Sequence, residues 1–425
     1  MKWLLNTTNL LLILILVLLV AVLLRPPCCE TPPTEPPTEP PTAGACPGPD
    51  CPRLEWANFE YRGGVRMPAD TAAFSYAQTG GMDFDPVTKR LYVSDGYHLC
   101  EMDLPAPVIN ENPAALPQAK MTQACVRPGE GRLETDMGTS DIKLANPLRF
   151  GEYVYQSVYW YFDANADQVK THFRHAPTLS TTGAYQGIVQ VSTAPATEAG
   201  WISTIMGHIP EQWRGALKGK ALAGGGGIPI INRQPYGFSL YSFDPAAIHV
   251  APEPVPSVMV LGHDSSHPLG VWGAQSEMWN GSTVMHGVVV FKDTRTTIIV
   301  GLQGTGPWCY GNGGPQNPPP PGENCYDPTN AHHGTHAYPY RYQIWAFDTQ
   351  ELADVAAGKR AAWDVQPAIW VPTFPTPSCC PNINGAAYNE ADQLLYLMQG
   401  RGHGYDLSYP LIHTFKLNIP TRRRL

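Results

Sequence analysis

Residues 263–336 hold the densest set of side chains in this sequence that could do chemistry. Imidazoles and carboxylates, which can exchange protons, occur there beside flat aromatic rings that pack on sugars and other polar ligands. The first candidates for acid–base chemistry are Asp264, Glu277, His263 and His286, with Asp293 as a further acid. The candidate ligand-binding aromatics are Trp272, Trp308, Tyr310 and Tyr338. The stretch predicts a ligand site, although the same residues could also pack and hydrogen-bond within long loops.

No spacing in this stretch identifies a catalytic pair, so the catalytic residues stay unknown from sequence. Hydrolysis of a glycosidic bond needs two facing carboxyl groups about 5 to 10 Å apart, a distance that a sequence cannot show. Binding of a polysaccharide or a partner protein is therefore the first functional expectation. A carbohydrate-active hydrolase or lyase is the alternative.

Two shorter motifs suggest other ligands. His332, His333 and His336 place three imidazoles within five residues, which could hold a metal ion, but without a helix the spacing does not set their geometry. Cys379 and Cys380 are adjacent and could form a vicinal disulfide that presents an apolar surface to a ligand. Each cysteine could instead bond elsewhere or stay reduced. A metal ion is thus the one cofactor that the sequence suggests.

The cysteines and the charge balance indicate the compartment. Ten cysteines occur, and several lie close together in sequence: Cys46 with Cys51, Cys100 with Cys125, and Cys309 with Cys325. This usage is typical of disulfides in an oxidising environment, with buried thiols as the alternative. The formal net charge is −8 and the basic residues are scattered apart from residues 422–424. No basic surface for nucleic acid is predicted, so we expect no nucleic-acid partner.

The N-terminus predicts export. Residues 10–24 are uninterrupted apolar positions, and together with their flanks they predict a membrane contact through residues 3–24. Residues 1–27 are therefore a signal anchor or a signal peptide, and the absence of small residues before Cys28 favours the anchor. Residues 28–55 are a spacer rich in proline, threonine and glutamate, which favours an extended, semi-rigid chain. We expect an extracytoplasmic protein, in the periplasm or at the cell surface, either membrane-anchored or secreted.

Repeated hairpins in the body of the chain, residues 56–420, must position these side chains. Residues 81–94 and 385–397 share the order small residue, strand, acidic turn and strand. Further predicted strands are 153–162 with 169–173, 237–243 with 258–262, 288–291 with 297–302, and 342–347. Two short helices, 210–217 and 349–358, are expected in loops. The predicted fold is all-β, a β-propeller of about five to seven blades, with a β-sandwich as the alternative.

The hairpin pattern D-P-x-x-x-x-L-Y-V of residues 85–93 looks like the inner strands of a propeller blade. Residues 342–348, followed by a helix and then by residues 367–370, resemble a blade strand with a helical excursion. On these features the chain is similar to uncharacterised exported β-propeller proteins over most of residues 60–420, and the resemblance carries no catalytic motif. It implies a ring of blades whose axial mouth gathers loops from distant parts of the chain.

Overall fold

The computed structural model describes residues 50–68, 80–163, 167–192, 199–225, 235–322, 324–375, 382–400 and 410–420. The predicted signal anchor or signal peptide, the spacer before residue 50, and Cys379 with Cys380 lie outside these ranges. Within them, no helix is long and apolar enough to span a bilayer. The membrane contact and the vicinal disulfide therefore stay predictions.

Antiparallel β-sheets make up most of the described fold, which confirms the all-β prediction. The body begins with a strand that belongs to the last sheet, β1 (Phe59–Arg66). Sheet I follows, with β2 (Gly81–Asp85), β3 (Arg90–Ser94), β4 (Leu99–Asp103) and β5 (Lys120–Val126). Sheet II contains β6 (Ile142–Phe150), β7 (Tyr153–Trp160) and β8 (His172–His175). Sheet III contains β9 (Ile205–His208), β10 (Ala221–Gly225), β11 (Ser239–Phe243) and β12 (Ser257–Gly262).

Sheets IV and V complete the body. Sheet IV begins with β13 (Val284–Val290) and β14 (Thr296–Gly304). An inserted three-stranded sheet follows, with β15 (Cys309–Gly314), β16 (Asn324–Tyr326) and β17 (His333–His336). Sheet IV then ends with β18 (Tyr340–Asp348) and β19 (Ala368–Trp370). Sheet V contains β20 (Ile383–Asn389), β21 (Leu394–Gln399) and β22 (Leu411–Leu417), and β1 pairs antiparallel with β22 as its outer strand.

Short helices occupy connections between strands, as predicted. They are α1 (Leu133–Met137), α2 (Glu211–Leu217) and α3 (Thr349–Ala356), with 3₁₀ turns at Trp56–Asn58, Pro113–Ala115, Ala199–Trp201, Pro245–Ala247 and Ala362–Asp364. In α3, Thr349 is the first helical residue and not the cap. The side chain of Asp348 caps this helix by accepting the N–H of Gln350 at 3.0 Å, because the buried Thr349 hydroxyl instead lies 2.9 Å from that of Thr297.

Three hairpins share a turn that contains a residue with positive φ. The side chain of Asp85 accepts a backbone N–H two residues on, and that of Asn389 accepts one three residues on. A residue in the left-handed region precedes the second strand in β2–β3, β13–β14 and β20–β21, with φ of 57° at Lys89, 57° at Asp293 and 51° at Gln393. Asp and Asn side chains favour such turns because they bond to their own backbone. These contacts explain why the acidic turns of the sequence repeat mark hairpins.

The first strands of the five sheets lie against one another. β2 contacts β6 and β20, β9 contacts β6 and β13, and β13 contacts β20. Glycine permits this approach, since a Cβ on Gly207 would lie 2.3 Å from the carbonyl oxygen of Val288 and one on Gly287 would lie 2.8 Å from the nitrogen of Ala386. Separate hydrophobic clusters fill the spaces between facing sheets. Each sheet therefore packs on two neighbours.

The predicted presence of disulfides is confirmed, and the structure supplies the pairing that the sequence left open. Cys100–Cys125 joins β4 to β5 with a Cα–Cα distance of 4.4 Å. Cys309–Cys325 joins β15 to β16 at 5.7 Å. Cys51 is also disulfide-bonded. Since such bonds form and persist in oxidising compartments, they indicate an extracytoplasmic environment.

Candidate functional site

A cavity of about 370 Å³ lies at the C-terminal ends of four first strands, β2, β9, β13 and β20. We call it the central cavity. Its charged lining residues are Asp83, His208, Arg214, Lys292 and Glu390, and apolar side chains of β9 and β13 form much of the remaining wall. This volume and this mixture of apolar walls with a few polar groups suit a pocket for a small polar ligand.

Asp83 and His208 form the closer of the two ion pairs in the central cavity. Nε2 of His208 lies 2.9 Å from Oδ2 of Asp83, and the same oxygen accepts the backbone N–H of Arg149 at 2.6 Å. Burial lowers the pKa of His208, but the charge of Asp83 and this hydrogen bond outweigh burial, so the pKa is raised. The side chain of His208 is 36% exposed. The imidazole of His208 therefore faces the cavity, and its pairing with Asp83 favours the protonated form.

A second ion pair and a guanidinium add charge beside it. Nζ of Lys292 lies 3.1 Å from Oε1 of Glu390, and this hydrogen bond raises the pKa of Lys292. Arg214, on α2, donates its Nε–H to the carbonyl of Ile209 at 3.1 Å and has no carboxylate partner in the part of the chain that the structure describes. With His208 protonated, three cationic groups face two carboxylates. The charges of Asp293 and Glu211 also act on Lys292, so the cavity is of mixed charge.

Tyr388 adds a neutral polar group to the wall of the central cavity. Its hydroxyl is buried and has no hydrogen-bond partner among the described residues. Burial raises the pKa of this phenol, so it remains protonated at neutral pH. Its ring packs edge-on against Phe291 with 5.0 Å between the ring centroids. The hydroxyl is thus held in place by packing and keeps a hydrogen to donate.

Three of the acid–base candidates from the sequence have separate surroundings. His263 is buried, its Nδ1 lies 3.1 Å from the carbonyl of Phe238, and burial lowers its pKa. Asp264 accepts two backbone N–H groups of its own exposed loop. Glu277 is exposed and lies 3.5 Å from Arg341. None of these contacts joins one candidate to another, so the catalytic role of these residues stays a prediction.

Of the other two acid–base candidates, Asp293 adjoins the central cavity and His286 does not line it. His286 belongs to β13, and burial lowers its pKa to about 4. Asp293 lies in the turn between β13 and β14, where its charge contributes to the raised pKa of Lys292. Lys292 thus lines the cavity, and the charge of the neighbouring Asp293 acts on it.

Two of the predicted ligand-binding aromatics lie on neighbouring loops. Trp272 packs against Trp279 with 5.9 Å between ring centroids. A Cβ on the adjacent Gly273 would lie 3.5 Å from the ring of Trp308, whose Nε1 is buried and lacks a partner among the described residues. These tryptophans are partly buried. They support the loops at least as much as they present a surface, and their binding role stays a prediction.

The other two predicted aromatics belong to the inserted sheet and its surroundings. Tyr310 is 46% exposed, and its ring meets that of His333 edge-on at 5.0 Å. Tyr338 packs edge-on against Tyr326 at 5.5 Å. Tyr310 is therefore open to a ligand, whereas Tyr338 has aromatic neighbours.

The predicted histidine triad is spread between core and surface. His336 is buried, and its Nδ1 lies 2.7 Å from Oδ2 of Asp327. Its Nε2 lies 3.0 Å from the carbonyl of His332, and the hydroxyl of Tyr340 donates to the same Asp327 carboxylate at 2.7 Å. His333 is exposed. Within the described ranges no group of three or more His, Cys, Asp or Glu residues could hold a metal ion, and the metal site stays a prediction.

Sequence reasoning missed the charged residues of the central cavity. Asp83 stands between Met82 and Phe84 in β2, a strand that is buried throughout. A carboxylate buried in an apolar strand needs a cationic or hydrogen-bonding partner, so Asp83 is a signal that the sequence does contain. Its partner His208 is 125 positions away, and no pattern in the sequence connects the two.

No protein-family model matches the chain, and no curated protein matches it in sequence. Among solved structures, a luciferin-regenerating enzyme aligns with a TM-score of 0.33 and 9% identity over 87% of this chain and 96% of its own. A glycosyl hydrolase from Bacteroides ovatus aligns with a TM-score of 0.34 and 9% identity over 88% of this chain and 98% of its own. A chain of the mitotic checkpoint complex aligns with a TM-score of 0.28 and 8% identity over 87% of this chain and 98% of its own. Likenesses this distant carry no argument, so function must be inferred from the geometry of the site.

Proposed function

We propose that the five sheets are the blades of a five-bladed β-propeller. In support, the first strands contact one another in the order β2, β6, β9, β13, β20 and back to β2, which is the order of a closed ring. The pairing of β1 with β22 would fasten that ring, because it joins the start of the body to its last sheet. Radial closure also explains how so much sheet leaves few exposed edges.

The function we propose is the binding of a polysaccharide with acidic sugars, with one acidic unit in the central cavity. The observation that carries it is the guanidinium of Arg214, which has no carboxylate partner among the described residues, beside the Asp83–His208 pair. A guanidinium binds a carboxylate through two parallel N–H···O bonds. The His208–Asp83 pair offers further partners for sugar hydroxyls.

The same geometry favours binding over hydrolysis. Asp83 and Glu390 each already accept a hydrogen bond from a cationic side chain, so neither is placed to deliver a proton to a leaving group. The hydrolase or lyase alternative rests on His208, which pairs with Asp83 and is also influenced by the charge of Glu390. In the proposal, disulfide formation and the predicted membrane contact of residues 3–24 place this site outside the cytoplasm, where polysaccharides are exposed.

Isothermal titration calorimetry with oligosaccharides of uronic acids, and with neutral oligosaccharides of equal length, tests the proposal. Wild-type protein should prefer the acidic series. Arg214→Ala should weaken that binding about 10- to 100-fold, since a hydrogen bond to a charged group is worth about 1.5–3 kcal/mol. Arg62→Ala is the matched control, because Arg62 pairs with Glu60 at exposed positions of β1 and lies outside the cavity lining.

Three results would separate the possibilities. Equal affinity for acidic and neutral sugars, or an Arg214→Ala variant that binds as tightly as wild type, would contradict the proposal. Release of new reducing ends or unsaturated products during the titration would favour the enzyme instead. Absence of any saccharide binding would leave a partner protein as the ligand to seek.

A further inference from the structure

A second polar cluster lies in the middle of β6 and near the N-terminal ends of β13 and β20, outside the lining of the central cavity. Asn146 in β6, His286 in β13 and Asn384 in β20 each lie at a register shift in the pairing with the second strand of their sheet. A bulge of this kind leaves a residue outside the ladder and redirects its side chain. Three sheets therefore place a polar side chain at the same type of irregularity.

Residues at the start of β2 contact two members of this cluster. A Cβ on Gly81 would lie 2.2 Å from Oδ1 of Asn146, and the backbone of the preceding Gly80 accepts a hydrogen bond from His286. Nε2 of His286 lies 3.4 Å from Nδ2 of Asn382. The N-terminal ends of β2, β13 and β20 therefore lie near the middle of β6 here.

Amide oxygens of this cluster are buried and unused. Oδ1 of Asn146, of Asn382 and of Asn384 lacks a hydrogen-bond partner among the residues that the structure describes. Asn146 is 0% exposed and Asn384 is 5% exposed. A buried polar atom without a partner costs about 1–3 kcal/mol, and native proteins satisfy most such atoms with water or an ion. Three such atoms, on or beside the two strands that flank β2, point to a bound group.

The chemistry of the unused atoms selects the ligand. They are mainly carbonyl oxygens, which accept hydrogen bonds or coordinate cations and repel anions. They are also enclosed, which suits an ion better than an organic molecule. We propose that Asn146, Asn382 and Asn384 bind a hard cation such as Ca²⁺, for which asparagine carbonyl oxygens and waters are ordinary ligands. In this arrangement His286 is a positioning residue, because it contacts Asn382.

Metal analysis and calorimetry test this site directly. The protein as purified should contain Ca²⁺ by mass spectrometry, and after chelation it should bind CaCl₂ with a rise in its thermal midpoint. Asn146→Ala and Asn384→Ala should each weaken Ca²⁺ binding about tenfold or more, because even the loss of a group behind a ligand costs about 10- to 100-fold. Asn112→Ala is the control, since this asparagine is exposed and caps the turn at Pro113–Ala115.

Asn146→Asp keeps the side-chain size and adds a negative charge, so it should bind Ca²⁺ more tightly than wild type. If the alanine variants do not fold, this variant decides, and an unchanged affinity overturns the proposal. A wild-type protein that contains no metal and gives neither heat nor a thermal shift with CaCl₂ also overturns it, and ordered waters then satisfy the amides. Saccharide binding and its loss in Arg214→Ala are measured independently, so either proposal can fail alone.

Discussion

Acidification should destabilise this protein through histidines that are buried in the neutral form. Burial lowers the pKa of His172 to about 3, of His175 to about 4 and of His413 to about 3. In the unfolded chain each imidazole titrates near pH 6.5. A base with a depressed folded pKa contributes its full stability above pH 6.5 and loses it as the pH falls toward the folded pKa.

The size of the loss follows from these values. Each pKa unit corresponds to 1.36 kcal/mol, so lowering the pH from 6.5 to 5.0 should cost about 1.5 kcal/mol per histidine and about 5 kcal/mol for the three. His208 and His336 have raised pKa values, so their stabilisation is complete below pH 6.5 and does not oppose the loss in this interval. The lowered pKa of Asp327 matters only near pH 4 and below.

His413 offers the clearest single test. Its Nε2 lies 2.6 Å from Oε1 of Gln399, and Phe374 stacks on its ring at 4.1 Å. In urea unfolding followed by tryptophan fluorescence at pH 6.5 and 5.0, His413→Gln should lose about 1.5 kcal/mol less than wild type. His333→Gln, the same change at an exposed position, should lose as much as wild type. Equal losses in His413→Gln and wild type would refute the reasoning.

Two further predictions concern stability. Cys100→Ala with Cys125→Ala should lower the free energy of unfolding by about 3 kcal/mol, because the bond closes a loop with a sequence separation of 25; a urea midpoint equal to that of the oxidised wild type would contradict this. Gly207→Ala should cost about 1–3 kcal/mol, because its Cβ would overlap the Val288 carbonyl. The control is Gly215→Ala in α2, where a Cβ meets nothing within 4 Å, and in thermal melts this variant should be neutral or stabilising. If Gly207→Ala lowers the thermal midpoint no more than Gly215→Ala does, the first strands are not tightly packed there.

Local patterns predicted a large part of the fold. Residues 81–94 and 385–397 form the hairpins β2–β3 and β20–β21, because alternation of side chains and a turn-forming Asp or Asn act over only a few positions. The strand predicted at 169–173 was wrong in its bounds, since β8 begins at His172 and runs to His175. Gln168 explains the shift, because its side chain accepts the N–H of Trp160 and so closes a loop where a strand was expected.

The sequence by itself determined the all-β class, the main hairpins and the presence of disulfides, since each depends on composition or on residues that are near one another in the chain. Only the tertiary structure decided which cysteines pair and which distant polar residues meet. His208 reaches Asp83 across 125 positions, and Tyr61 reaches His413 across 352. Such contacts exist because whole sheets pack side by side. Which sheets become neighbours depends on hydrophobic contacts between residues far apart in the chain, and no local sequence pattern identifies those partners.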